Sequence, residues 1–370
     1  MRRGDGDGSR RGPVRALSFL VHRYDEPANF RADVGYRPRC TMRPWLVSWA
    51  GRSLPRKRDV SLTEHAIRLR IASRTSISQT TDFVLETGRP LDRSRMFDPD
   101  VSPYCFDFDD RKLFCVSTPD IVGATFFYQA QRQQARSVIK VPFDALPEAL
   151  ASPTLIFSIG RCGSTLLHRA FDAAGVRTVS EPDYFTQAAL HSSHDEALRS
   201  AIGRATQLLP YAVIKLRAEC NHASLMIAGA FRTPNVMFVL RDPVDWAASV
   251  RRLSPAMADP GAIAALLRAL LVGLDSLTRN YDVRICHYED FRILTASYIN
   301  ALLAWMGSTA RIRPALASAL AAKDAQEGSV VSRASLKDVP EDPAFREAFR
   351  TEWGKVRPTA LIERLNLRRL

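Results

Sequence analysis

The sequence predicts an α/β protein with a central, mostly parallel sheet covered by helices on both faces and a basic, poorly ordered N-terminal region. Three observations carry that expectation. From Lys112 onward, short apolar runs alternate with segments of helical length, the pattern of strands buried on both sides. One such run, Leu155-Ile156-Phe157, stops at a glycine-bracketed turn, Gly160-Arg161-Cys162-Gly163, and two hydroxyls and a helix-like segment follow. The first sixty residues are rich in Arg, punctuated by Gly and Pro, and lack sustained periodicity.

In chain order, residues 1–60 read as a disordered basic extension. Residues 61–110 form an uncertain segment, with a helix expected over Glu64–Ala72 and an Asp/Pro-rich loop near Phe97–Pro103. Residues 111–370 read as the α/β domain. Its expected strands are Leu113–Ser117, Ser137–Phe143, Thr154–Ser158, Val176–Ser180, Tyr211–Leu216, Asn235–Leu240 and Val283–His287. Helices are expected over Ile121–Ala135, Thr165–Ala174, Glu196–Leu209, Ser224–Phe231, Val244–Leu253, Ala262–Asn280 and Asp290–Met306. From Pro314 the chain reads as helical, with a break at Gly328–Ser335.

Composition excludes several classes. The chain has 370 residues, 46% hydrophobic and 25% charged, which suits one large globular domain or two small ones. The apolar runs read as too short to span a membrane, and none has the flanks of a signal peptide. Six cysteines without a CxxC pair or a His-rich partner read as reduced thiols of a cytoplasmic protein, and no metal site is expected. The net charge of +13 raises nucleic-acid binding, but residues 1–60 hold fourteen basic and six acidic residues. Most of the surplus thus lies outside the expected fold, and no aromatics interleave it regularly. A nucleic-acid partner is not expected.

The chemistry concentrates where strands end. In a parallel sheet, ligands bind beyond the carboxyl ends of the strands, and Gly160, Arg161, Glu181, Lys215 and Arg241 all fall at or just after a strand end. Gly160 and Gly163 permit close backbone approach. Ser164 and Thr165 can donate to phosphate oxygens, and Arg161 can fork onto a doubly charged group. The nucleotide-triphosphate loop carries Lys just before its Ser or Thr, whereas this chain has Gly163 there, so the loop is suited to phosphate without the ATPase lysine. A second anion-type segment, Arg241-Asp242-Pro243-Val244-Asp245-Trp246-Ala247-Ala248-Ser249, follows another apolar strand, with Asp242 placed to cap the next helix. Two such segments point to a ligand with anionic groups at two separated places.

Together, Ile159–Leu167 and Arg241–Ser249 resemble the two nucleotide-binding signatures of P-loop sulfotransferases, which use 3′-phosphoadenosine 5′-phosphosulfate (PAPS). Arg161-Cys162-Gly163-Ser164-Thr165 is similar to the Arg-x-Gly-Ser-Thr loop of carbohydrate and bacterial members. Arg241 and Ser249 match the second signature's spacing, and Tyr288-Glu289-Asp290-Phe291 matches a segment common after a late strand. The resemblance covers roughly residues 110–340 and implies a P-loop-type three-layer sandwich. It also implies PAPS as co-substrate without a metal, and sulfuryl transfer to a hydroxyl of a carbohydrate, lipid or small metabolite. Cofactor contacts would come from Gly160, Arg161, Cys162, Gly163, Ser164, Thr165, Arg241 and Ser249, with Arg333 in a C-terminal lid over the 3′-phosphate. Arg161 and Lys215 would stabilise charge, and Glu181, in Ser180-Glu181-Pro182-Asp183-Tyr184-Phe185, would be the general base. Lys215-Leu216-Arg217-Ala218 lacks the His of the cytosolic members' Lys-x-x-His pattern, which favours a carboxylate base. His168 and His222 stay open as bases, each also readable as a packing histidine.

Two other readings remain open at this level: a P-loop kinase or nucleotide hydrolase, and a non-catalytic binding protein that keeps the fold. Acceptor contacts are expected from Tyr184–Asp195, Ser254–Gly261 and residues 60–110. Oligomeric state is not legible.

Overall fold

The computed structural model describes residues 62–71, 77–119, 121, 124–150, 152–209, 212–325, 342–367 and 370. The expected N-terminal extension and the Gly328–Ser335 break, with Ser332, Arg333 and Lys337, lie outside the described residues.

Two sheets organise the chain. The first is antiparallel and contains β1 (Leu62–Arg70), β2 (Phe83–Leu85), β3 (Arg89–Leu91), β4 (Val101–Asp107), β5 (Lys112–Ser117) and β6 (Ser137–Pro142). Its order is β2-β1-β6-β5-β4, with β3 also on β1. Period-two patterning assigns its faces. Leu113, Cys115, Ile139 and Val141 enter the main core, whereas Phe114, Val116 and Val138 join Phe83, Tyr104, Cys105 and Ala135 in a smaller cluster. The helix expected over Glu64–Ala72 is therefore corrected to strand β1. The alternation Ile67-Arg68-Leu69-Arg70-Ile71 was the local signal, and antiparallel pairing with β2, β3 and β6 decided it. Strands on both sides of position 110/111 share this sheet. Two expected strands, Leu113–Ser117 and Ser137–Phe143, thus belong to it rather than to the parallel sheet.

The second sheet is parallel throughout: β7 (Thr154–Ser158), β8 (Thr178–Ser180), β9 (Val213–Lys215), β10 (Asn235–Leu240) and β11 (Val283–His287), in the order β11-β10-β7-β9-β8. β7 is buried along its whole length, and so is β10 after Asn235, as a sheet covered on both faces requires. The chain leaves β7 toward β8 and β9 on one side, then returns to its other side as β10. A topological switch point therefore opens between the carboxyl ends of β7 and β10.

The helices are α1 (Phe127–Gln134), α2 (Ser164–Ala173), α3 (Tyr184–Leu190), α4 (Glu196–Thr206), α5 (Ser224–Ala228), α6 (Pro243–Leu253), α7 (Pro260–Asn280), α8 (Tyr288–Phe291), α9 (Ala296–Trp305), α10 (Pro314–Ala322), α11 (Pro343–Val356) and α12 (Thr359–Arg364). The single helix expected over Asp290–Met306 is two. Leu294 adopts φ 51° and Thr295 caps a fresh start by accepting from the Tyr298 N–H. α1 is also shorter than expected, and α3 occupies most of the stretch Tyr184–Asp195 foreseen as loop.

α7 is long and apolar enough by composition to cross a membrane. Its apolar stripe, including Ile263, Leu266, Leu270, Leu274 and Leu277, is buried in the core, while Arg268 is exposed. The two sheets share that core. The Gln187 side chain of α3 docks on β4 by accepting from the Phe106 N–H at 2.5 Å and donating to its carbonyl at 2.8 Å. The five cysteines among the described residues are buried free thiols.

Candidate functional site

Because the sheet is parallel, its carboxyl edge gathers residues far apart in sequence. β7 runs out at Ser158, and the chain turns through three positive-φ residues: Gly160 (69°), Arg161 (48°) and Gly163 (81°). Gly163 stands as N-cap of α2 without a side-chain cap, and its carbonyl accepts from the N–H groups of Leu166 (2.9 Å) and Leu167 (3.2 Å). Ser164 and Thr165 open that helix and are buried. A Cβ on Gly163 would lie 2.4 Å from the Tyr288 ring, so glycine is required by contact as well as by conformation. Three further bonds hold the turn. Trp246 Nε1 donates to the carbonyls of Ile159 (3.1 Å) and Gly160 (3.0 Å), and Asn221 Nδ2 donates to that of Ser158 (2.9 Å). Cys162 is fully buried, and burial pushes its thiol up, away from a reactive thiolate.

The second segment meets the first directly. Arg161 Nε donates to Ser249 Oγ at 3.2 Å, and Arg241 donates to the Arg161 carbonyl at 3.1 Å. Arg241 also lies over the Tyr288 ring, 4.9 Å from its centroid, and its buried Nε has no hydrogen-bond partner. Asp242 caps α6 as expected, accepting from the N–H groups of Val244 and Asp245 at 2.9 Å each. Its own N–H donates to Glu289 Oε1 at 3.0 Å.

Glu181 follows β8 directly, and its backbone N–H donates to the Lys215 carbonyl at 2.7 Å. The Lys215 ammonium also donates to Glu181 Oε1, and both side chains are largely buried. Glu181 carries φ 60°. Two of the five non-glycine residues with positive φ among the described residues, Arg161 and Glu181, are therefore sequence-predicted site residues. Strain of this kind collects at functional sites.

The second carboxylate of the same segment has a different environment. Asp183 is fully buried, accepts from the Ser78 N–H, and lies 3.3 Å from Arg217. Burial pushes its carboxyl up, opposed by the Arg217 guanidinium. Arg217 also reaches Glu219 at 3.5 Å and stacks 5.0 Å from the Tyr128 ring centroid. Asp183 and Arg217 thus anchor the segment that holds Glu181.

Sequence reasoning passed over both, together with Trp246 and Asn221. The usable signal was register. Ser180 pairs with Lys215, the last pair of that register. Beyond it Glu181 turns left-handed and Ala218–Ala223 forms a 3-10 helix, so that pair marks where the two segments leave the sheet side by side.

Desolvation lowers the pKa of both histidines that the sequence left open as bases. His168 is buried on α2, neither ring nitrogen has a hydrogen-bond partner, and burial with nearby Lys215 lowers its pKa to about 3. His222 is exposed, and its pKa is lowered by partial desolvation; it lines a groove of about 300 Å³ with His194 and Leu225. Among the described residues, no group of three or more His, Cys, Asp or Glu could hold a metal ion.

No family model and no curated protein matches the chain. Among solved structures, the chain is similar to a sulfotransferase from Alicyclobacillus acidocaldarius at 14% identity, over 58% of this chain and 97% of that one, with a TM-score of 0.38. It is also similar to a sulfotransferase from Mycobacterium avium at 12% identity, over 54% of this chain and 71% of that one, with a TM-score of 0.34. Values this low carry no functional weight, and the cleft geometry must stand on its own.

Proposed function

We propose that the chain is a PAPS-dependent sulfotransferase on a P-loop-type three-layer sandwich, acting on a hydroxyl of a carbohydrate, lipid or small-metabolite acceptor. The observation that carries this is the junction of the two anion-type segments at the switch point. Arg161 bonds Ser249 and Arg241 bonds the Arg161 carbonyl, across 88 and 80 positions of sequence. The donor set suits a ligand with two anionic ends. The positive-φ glycines and the N-terminus of α2 fit one phosphate group, and the orphan Arg241 Nε fits a second. A cytoplasmic setting with reduced thiols belongs to the same proposal.

PAPS supplies an activated sulfuryl group whose bond to the 5′-phosphate is weak enough to be displaced by an oxygen nucleophile. The remaining work is positioning and charge stabilisation. Gly160 to Thr165 hold the 5′ end, with Arg161 neutralising charge on the equatorial oxygens and the departing phosphate. Arg241 and Ser249 hold the 3′-phosphate. Lys215 lies at the end of the adjacent strand, where it neutralises charge and orients Glu181 through their ion pair. Glu181 Oε2 is then free of the Lys215 bond and takes the acceptor's hydroxyl proton. Asp183 and Arg217 keep Glu181 in its left-handed conformation.

Calorimetric titration with adenosine 3′,5′-bisphosphate, in parallel with ATP and without magnesium, tests the reading. The bisphosphate is expected to bind, and Arg241→Ala to weaken it by roughly 10- to 100-fold through loss of a charge-assisted contact. Binding of ATP alone, or of neither ligand, overturns the proposal.

A further inference from the structure

Tyr288 touches both anion-type segments. Strands β10 and β11 pair in register up to Leu240 and His287, so the next residues, Arg241 and Tyr288, leave the sheet side by side. One part of the ring faces the Arg241 guanidinium at 4.9 Å, within cation–π range. Another part lies where a Gly163 Cβ would come within 2.4 Å. The ring is itself held edge-on by Phe291, 5.6 Å away between centroids and fully buried. The next residue completes the clamp, since Glu289 accepts the Asp242 N–H and so holds the start of α6.

We propose that Tyr288 is a positioning residue that sets the spacing between the loop at Gly163 and the guanidinium of Arg241, and so selects ligands carrying two separated anionic groups over ligands carrying one. The assignment rests on the sulfotransferase reading, because Arg241 is taken to hold the 3′-phosphate. Its physical basis is geometric. A guanidinium stacked on an aromatic face keeps its planar fork in one orientation, whereas a free Arg side chain must be ordered on binding. Nothing in the contact bears on the 5′ end beyond the common wall at Gly163. The ring's removal should therefore be felt at the 3′ end first.

The test uses the full chain and two probes, adenosine 3′,5′-bisphosphate and adenosine 5′-monophosphate, with Tyr288→Phe and Tyr288→Met compared to the wild type. Phenylalanine keeps the ring face, whereas methionine fills similar space without it. Tyr288→Phe is expected to keep the wild-type ratio of the two dissociation constants within about twofold. Tyr288→Met is expected to lose roughly tenfold in bisphosphate affinity while monophosphate binding changes less than about threefold. Equal weakening of both probes in Tyr288→Met, or an equal loss in Tyr288→Phe, overturns the assignment and leaves the sulfotransferase reading standing. Failure of the wild type to bind the bisphosphate overturns both. Should Tyr288→Met fail to fold, Arg241→Lys reads the same contact from the other side. It keeps the charge without the planar stack, and retention of the bisphosphate preference there overturns the assignment.

Discussion

The antiparallel sheet and the carboxyl edge of the parallel sheet treat charge differently: the first pairs its acids and bases locally, whereas the second pairs Lys215 with Glu181 and sets Arg241 on a carbonyl and a ring. In the first, Arg95 bonds Asp98 and Asp100, Ser117 donates to Asp100, and Glu64 accepts from both Arg89 and Ser137. Asp82, buried beneath the sheet, accepts from the Tyr104 hydroxyl. At the parallel sheet's edge, Arg241 spends its contacts on a carbonyl and a ring, and Arg161 and Glu181 sit in strained backbone. Matched charge marks structure. Under the proposed function, Arg241, held by a carbonyl and a ring, is where an anion would bind.

The seam between the two regions should show the largest effect on stability. Asp183 accepts from Ser78, which lies just before β2, while its partner Arg217 stacks on Tyr128 of α1. Arg217→Met leaves Asp183 buried without its guanidinium. A loss of about 3–5 kcal/mol is expected from breaking such a buried pair. Urea unfolding measures it, and a loss below about 1 kcal/mol would show that the pair does not join the regions.

Acid should separate the regions next. The His168 pKa is depressed to about 3, so its contribution is present above the ordinary histidine value and is lost progressively as pH falls toward 3. In the antiparallel region, the Arg95 guanidinium and the Ser117 hydroxyl hold the Asp100 carboxyl at about 2. Its contribution is present above the usual carboxylate pKa of 3.8 and is lost as pH falls through 2. Between about pH 6.5 and 4 the wild type should therefore lose stability through His168 and not through Asp100. His168→Leu should give a flatter curve over that interval. Parallel stability curves for the two proteins would remove His168 from the account.

The smallest effect belongs to the antiparallel sheet's surface. Arg89 is exposed and pairs with Glu64 at 2.7 Å. Arg89→Ala should cost under about 1 kcal/mol and leave bisphosphate binding unchanged. A shift in that binding would mean that charge on the antiparallel sheet reaches the cleft.

Much of the parallel half was readable along the chain. Asn235–Leu240 and Val283–His287 are strands at their expected bounds: the first is a continuous apolar run, which has few alternatives when both faces are buried, and the second is a partly exposed edge strand paired with it. The turn Gly160–Gly163 and the cap at Asp242 were local signals, fixed by backbone sterics and by hydrogen bonds within a few residues. The antiparallel half was read poorly. Leu62–Arg70 carries a short alternating pattern that became a strand through partners as distant as Ser137–Lys140. The stretch Tyr184–Asp195 is equally dependent on context, since Tyr184–Leu190 folds as a helix docked on Phe106.

By itself, the sequence determined that five chemically capable positions fall at or just after strand ends and that two of them open turns leading into helices. Local patterning suffices for that, because apolar period and turn chemistry act over a few residues. Only the tertiary structure decided that the strands are parallel neighbours around β7, so that one edge collects Arg161, Glu181, Lys215 and Arg241. It alone separated Glu181, paired with Lys215, from the fully buried Asp183, and set Tyr288 between Gly163 and Arg241. Those outcomes depend on register and burial among residues up to a hundred or more positions apart, and such long-range contacts leave no periodic trace in the chain.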